Sequence, residues 1–289
     1  MPKKIRYFLL LILTSVFAAL TQANPDPGKP LPPFRIADNL YFVGNTYVAS
    51  YLIVTPKGNI LINSDFQTDV PMLKANIEKL GFKFNDTKIL LISHAHTDHS
   101  GGSAQIKQET GAKYMVMDAD VPVVESGGKA DFQYGNSSDP DNFYPSAKVD
   151  RVLHDGSQVK LGNTVLVAQL TAGHTKGCTT WTMNATENGK NYHVVIVGGA
   201  FVNPGYQLVH NTAYPAIAED YQHTFHLLKS LPCDIFLGAH GMYFDLDKKY
   251  ALMKKDGINT FIDREGYQKF VRDKEQDFRN ELAKQKIIK

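Results

Sequence analysis

His94-Ala-His-Thr-Asp-His99 follows the apolar run Lys88-Ile-Leu-Leu-Ile-Ser93 and precedes Gly101-Gly102. Four residues able to bind metal or move protons thus stand within six positions, where a buried strand gives way to a turn. Side chains alternate along an extended segment, so His94 and His96 point the same way. Asp98 and His99 fall in the tight bend that follows and face a second point nearby. The pattern predicts two metal ions side by side. Imidazole and carboxylate without thiolate suit zinc, with iron and manganese as alternatives of the same ligand preference.

Two further histidines share this setting, the end of an apolar strand entering a glycine-containing turn: Gly173-His174 and Ala239-His240-Gly241. Neighbouring strand ends lie side by side, so the three sites can converge. Five histidines and one aspartate suffice for two zinc ions with three protein ligands each. Each ion then keeps an open position, as catalytic zinc does, and a water there would lose a proton near neutral pH. His154, beside the turn Asp155-Gly156, His193 at a strand start, and His223 and His226 on a helix read as ordinary surface histidines. His210 is a weaker candidate for approaching the site.

Around these sites the chain alternates strands and helices. Residues 40–43, 51–54 and 59–62 form an antiparallel meander. A helix follows with Val70, Leu73, Ile77 and Leu80 inward, Asp69 or Thr68 as cap and Gly81 as stop. Ser103 to Thr110 reads as a helix and Lys113 to Met117 as a strand. Residues 151–153, 158–161 and 164–170 suggest a second meander, followed by strands at 179–183, 193–197 and 234–238. Helices are expected around Ile217 to Leu228, over 245–255 and over 263–286, the last with Tyr267, Phe270, Val271, Phe278 and Leu282 inward. Two halves of this kind, with helices covering outer sheet faces, pack as a four-layer αββα sandwich in the α/β class. The long segment from Glu125 to Ala147 carries Phe132, Tyr134, Phe143 and Tyr144 and reads as a lid or binding wall.

The 289-residue chain opens with Lys3, Lys4 and Arg6, then a mostly apolar stretch from Tyr7 to Leu20 and small residues at Thr21-Gln-Ala23. This is the pattern of a secretory signal peptide (1–23) cleaved after Ala23, too short for a membrane span. A proline-rich leader (24–33) precedes a single domain over 34–289. Without the three signal cations, 28 Lys and Arg face 29 Asp and Glu, so no charge excess steers the protein to nucleic acid or an anionic membrane. A periplasmic or secreted monomer with a small-molecule substrate is expected. Cys178 and Cys233 would meet an oxidising compartment, either paired or buried and free.

The histidine cluster, Gly173-His-Thr-Lys-Gly-Cys-Thr-Thr-Trp181, Asn203-Pro-Gly-Tyr-Gln-Leu208, Glu219-Asp220-Tyr221, Leu231-Pro-Cys-Asp234 and His240 together resemble the metallo-β-lactamase superfamily, from about Phe34 to Val271. Within it the sequence is similar to class B β-lactamases of the third subclass. The resemblance implies one zinc on His94, His96 and His174 and another on Asp98, His99 and His240. It implies that a metal-bridging hydroxide hydrolyses the amide bond of penicillins and cephalosporins, with carbapenems also expected. Asp98 would orient that hydroxide and shuttle its proton, and Tyr206 would assist the oxyanion. Other subclasses place a Cys after the strand ending at Gly198-Gly199, and glyoxalase-like or lactonase-like relatives a bridging Asp. Here the position is Ala200, and His99 supplies the ligand.

Three departures affect substrate range and stability. Ala200 and Val202 replace the serines that many members use for the substrate carboxylate, leaving Asn203. Asn63 stands where an Asp usually buttresses the ligand loop. Tyr267 occupies the place of the Cys that usually pairs with Cys233. Candidate substrate contacts are Tyr206, Asn203, Phe132 and Tyr134. The rival readings are another exported di-zinc hydrolase, acting on lactones or thioesters, and a non-catalytic zinc-binding protein on the same scaffold.

Overall fold

In the computed structural model, which describes residues 28–287, the run before the histidine cluster is β5 (Thr87–Leu91), buried inside a seven-stranded sheet. The order is β1 (Phe34–Ala37), β2 (Leu40–Phe42), β3 (Tyr51–Thr55), β4 (Gly58–Ile62), β5, β6 (Lys113–Met117) and β7 (Arg151–Leu153). Strands β1 to β4 pair antiparallel, and β4 to β7 pair parallel. The second sheet has the order β12 (Ile235–Gly238), β11 (Lys190–Val197), β10 (Thr179–Glu187), β9 (Thr164–Leu170) and β8 (Gln158–Leu161), with only β11 and β12 parallel.

Alternation along the central strands creates the layers. Tyr51, Ile53, Ile60, Ile62, Ile89, Leu91, Met115 and Met117 face the second sheet, where they pack with Trp181, Val194 and Ile196. Leu52, Leu61, Leu90, Tyr114 and Val116 point the other way, against Val70, Leu73 and Ile77 of α1 (Val70–Lys79) and Ile106 of α3 (Ser103–Thr110). A strand covered on both faces is apolar throughout, which is why β5 reads as a continuous run. On the outer face of the second sheet lie α5 (Ile217–Ser230) and α7 (Arg264–Ile287), joined by a stack of Tyr221, Phe225 and Phe278. The five inward residues expected on the last helix are the five buried ones. The result is the four-layer αββα sandwich.

Several local expectations need correction. The strand at 151–153 does not join the second meander; it pairs with β6 and closes the first sheet, leaving β8 and β9 as a hairpin. β1 adds a strand ahead of the first meander. β10 and β11 run on to Glu187 and from Lys190, because Asn188 and Gly189 both take positive φ in a two-residue hairpin turn. Asp98 and His99 lie not in an irregular bend but on a one-turn helix, α2 (Thr97–Ser100). No side chain caps α1: Pro71 sits in its first turn, and a 3-10 turn over Gln67–Asp69 leads in.

The 125–147 segment is preceded by α4 (Val121–Glu125) and is held to the body, with the Tyr144 hydroxyl 2.5 Å from the Ala95 carbonyl. Both cysteines are free; Cys178 is buried and Cys233 half-buried, its thiol pushed up to about 12 by burial and Asp234. The signal-peptide reading and the first part of the leader lie outside the described residues. Pro30 of the leader bridges Asn45. Among the described residues no helix is long and apolar enough to cross a membrane.

Candidate metal centre

The three histidine-bearing segments meet at one edge of the two sheets. The loop after β5 is stitched to the start of β10, where Thr179 N–H donates to the Ser93 carbonyl at 2.7 Å and Trp181 Nε1 to Ile92 at 3.0 Å. The end of β12 is tied to the 45–49 loop through the Val48–His240 bridge and the 2.9 Å bond from Ala49 N–H to the Ala239 carbonyl. Extended backbone carries His94 to His96, and α2 then turns Asp98 and His99 back beneath them.

Two sets of donors result. The ligand-capable atoms of His94, His96 and His174 lie within 4.8 Å of one another, as do those of His94, Asp98 and His99. Asp98 Oδ2 is 3.2 Å from His99 Nε2 and 3.5 Å from His240 Nε2, and these two nitrogens are 3.1 Å apart. The six predicted ligands therefore form two adjoining triads. His210, His223 and His226 are exposed and in neither. His154 pairs with Asp118, and His193 bonds Asn184.

The chemistry of the donors fits metal. His174 Nδ1 donates to the Phe201 carbonyl at 2.9 Å and His240 Nδ1 to Tyr47 at 3.1 Å, while His94 Nδ1 lies 3.2 Å from Ser93 Oγ. In the first two rings the Nε2 lone pair is left for the centre, and the buried His94 Nε2 has no partner at all. An outer hydrogen bond that fixes the tautomer is what metal-bound imidazoles use. Burial lowers His96 and His240 to about 4 and His174 to about 3, with the neighbouring histidines adding to the effect. His94 falls further, for the same reasons. These four rings are neutral at pH 7, the form that binds metal. Burial pushes Asp98 up, but His99 and His240 pull it far below the ordinary carboxylate range, so it stays an anion. The adjoining histidine and aspartate triads suit two zinc ions.

Gly198 to Val202 contributes no acid or thiol to either triad. Instead Gly199 allows the backbone to approach His174, since a Cβ there would lie 2.9 Å from the ring. The four candidate substrate residues form one wall beside His96. Tyr134 meets that ring edge-on at 5.3 Å, Phe132 packs on Tyr206, and Asn203 Nδ2 donates to the Tyr134 hydroxyl at 3.2 Å. Tyr206 is buried, with its hydroxyl donating to the His174 carbonyl at 2.8 Å and lying 3.4 Å from His96 Nε2.

Two supporting residues stand behind the ligands. Asn63, at φ +66°, accepts from Ser93 N–H and donates to the Ala49 carbonyl, so its amide joins the β5 end to the 45–49 loop with both functions used. Asp120, which sequence reasoning missed, is buried between two ligand loops. It accepts from Ala95 N–H at 3.0 Å, Thr175 Oγ1 at 2.8 Å and Gly177 N–H at 2.8 Å. Burial raises it to about 7 against those bonds. Its only local signal is an acid three residues past a buried strand, a position Asp118 nearly shares.

The metallo-beta-lactamase superfamily profile matches residues 43–240. The FEZ-1 metallo-beta-lactamase from Legionella gormanii is 59% identical, over 91% of this chain and 99% of that one, with a TM-score of 0.88. BJP-1, a subclass B3 metallo-beta-lactamase of Bradyrhizobium japonicum, is 37% identical over 90% and 96%, with a TM-score of 0.83. The class B3 di-zinc enzyme LRA-12, from an Alaskan soil metagenome, is 35% identical over 90% and 97%, with a TM-score of 0.85. A metal-dependent hydrolase of Thermodesulfovibrio yellowstonii aligns at 33% identity over 88 residues, so the chain spans about a third of that curated relative. The chain belongs to the metallo-beta-lactamase superfamily, and within it to the third subclass.

Proposed function

We propose that the protein hydrolyses the amide bond of β-lactams, penicillins, cephalosporins and carbapenems, as an exported resistance enzyme. The observation that supports this reading is the pair of adjoining donor triads, with His99 Nε2 3.1 Å from His240 Nε2; His99 would be the ligand that Ala200 cannot provide. His94, His96 and His174 would hold one zinc, and Asp98, His99 and His240 the other. Bound there, the ions supply Lewis acidity toward the lactam carbonyl and acidify the attacking water. The Asp98 carboxylate orients that water, takes its proton and passes it to the ring nitrogen as the C–N bond breaks. Water is the nucleophile, so no acyl-enzyme forms. Tyr206 can serve the oxyanion by exchanging its bond to the His174 carbonyl, a contribution of ~2–4 kcal/mol. Phe132, Tyr134 and Asn203 line the substrate side, with Asn203 taking over part of the carboxylate recognition that Ala200 and Val202 cannot provide.

On this reading residues 1–23 direct export to the periplasm and 34–289 act as one monomeric catalytic unit. A side-by-side panel of a penicillin, a cephalosporin, a carbapenem, a lactone and a thioester tests the substrate class. Ring opening of the β-lactams is expected, with little turnover of the other two. Turnover confined to the lactone or thioester would overturn the proposal.

A further inference from the structure

Tyr47 lies in the loop between β2 and β3, and its backbone is fixed from two sides. Asn45 Oδ1 accepts from the N–H groups of Tyr47 and Val48, both at 2.8 Å, while Asn45 Nδ2 donates to Asp65 Oδ2 at 3.0 Å. The Tyr47 carbonyl accepts from His240 Nδ1 and from Gly241 N–H, each at 3.1 Å. Tyr47 takes part in all of these bonds through its main chain, which almost any residue would supply. They leave the choice of a phenol at this position unexplained.

The Tyr47 ring lies against the His240 ring, with centroids 4.7 Å apart and planes at 52°. The residue is only half-buried, and its hydroxyl has no hydrogen-bond partner among the described residues. Burial raises that hydroxyl further above its ordinary pKa, and Asp98, Tyr134 and Asp65 add to the effect. It therefore keeps its proton at working pH and stands within electrostatic reach of Asp98 and Tyr134. An aromatic side chain thus borders each triad: Tyr134 meets His96 of the first at 5.3 Å, and Tyr47 meets His240 of the second. Tyr206 and Asn203 join the first border through Tyr134. Tyr243 also packs on His240 but is buried, so Tyr47 is the ring there with an open edge.

The chemistry of a penicillin says what that edge can meet. Its lactam carbonyl is flanked by the ring nitrogen, whose next carbon bears the carboxylate, and by the carbon that bears the acylamino arm. Carboxylate and arm therefore leave the reacting bond in opposite directions. With the carboxylate on Asn203, at the His96 border, the arm is carried toward His240. We infer that Tyr47 is a specificity-determining residue that receives this arm, its ring packing against an aromatic group there and its hydroxyl donating to the arm's amide carbonyl. A flat apolar face ending in one donor suits both parts of such an arm. The inference rests on the β-lactam reading above and extends it to the part of the substrate that is not cleaved.

The test compares a penicillin bearing a phenylacetyl arm with the unacylated aminopenicillanic acid nucleus, on the zinc-loaded mature enzyme. Tyr47→Phe removes only the hydroxyl, on which no bond within the described protein depends. The ratio of kcat/KM for the acylated over the unacylated substrate should fall by roughly 2–10-fold, the value of one hydrogen bond. Tyr47→Ala removes the ring as well, and the ratio should fall by roughly 10–100-fold, mostly through KM. A disturbed His240 would slow both substrates alike and leave the ratio where it was, so the ratio isolates contact with the arm. A wild-type ratio in either variant would overturn the inference. A wild-type enzyme that opens neither compound would instead overturn the β-lactam reading beneath it.

Discussion

Asp98→Asn is expected to lower the rate of β-lactam hydrolysis by roughly 10²–10⁴-fold, the usual contribution of a positioned acid or base, and to leave the protein folded. The carboxylate stands between His99 and His240, 3.2 and 3.5 Å from their Nε2 atoms. Burial raises it, and its histidine neighbours hold it far below the ordinary carboxylate range. Asparagine fits the same space but brings no charge to a cation and cannot take a proton from water. Zinc at the second triad should weaken as well, since neutral imidazoles remain its only donors. Measuring kcat beside the metal content separates the two effects at saturating zinc. An Asp98→Asn enzyme with two zinc ions and the wild-type rate would remove Asp98 from the chemistry.

Asp120→Ala should have the largest effect on stability. It leaves Ala95 N–H, Thr175 Oγ1 and Gly177 N–H without their acceptor in a site closed to water. With about 1–3 kcal/mol for each orphaned group, a loss of about 3 kcal/mol or more follows, and a fall in Tm of roughly 10 °C. The melt belongs to the metal-free protein, because bound zinc would mask part of the loss. Zinc affinity should fall with it, since Asp120 pins the His94–His96 segment to the turn after His174. A metal-free variant melting with the wild type would show that the two loops hold each other without the carboxylate.

These two acids mark the boundary of what the sequence discloses. Asp98 is legible because its chemistry is local: histidines at fixed spacing, a strand before them and glycines after. His174 and His240 repeat that context, and both faces of the central strands are apolar, so the layers can be derived. Asp120 acts on residues far along the chain, and nothing beside it distinguishes it from Asp118. Its role comes from which loops the two sheets bring together. The same limit misplaced 151–153: its residues favour a strand, but only the parallel register with β6 assigns it to the first sheet. Asn188-Gly189, by contrast, is a local hairpin signal that would have extended β10 and β11. Asn63 is a mild departure, because its amide performs the buttressing with one donor and one acceptor. The Tyr206 hydroxyl could not be aimed from sequence, since its partner is a backbone carbonyl of the loop it packs under.

The central claim is that two adjoining zinc sites open β-lactams. Its most direct test is a titration of the mature, metal-free protein with zinc, following hydrolysis of a chromogenic cephalosporin and bound zinc together. Activity is expected to be absent at the start, to rise with added zinc, and to level off at two ions per chain. Two bound ions without hydrolysis would contradict the account.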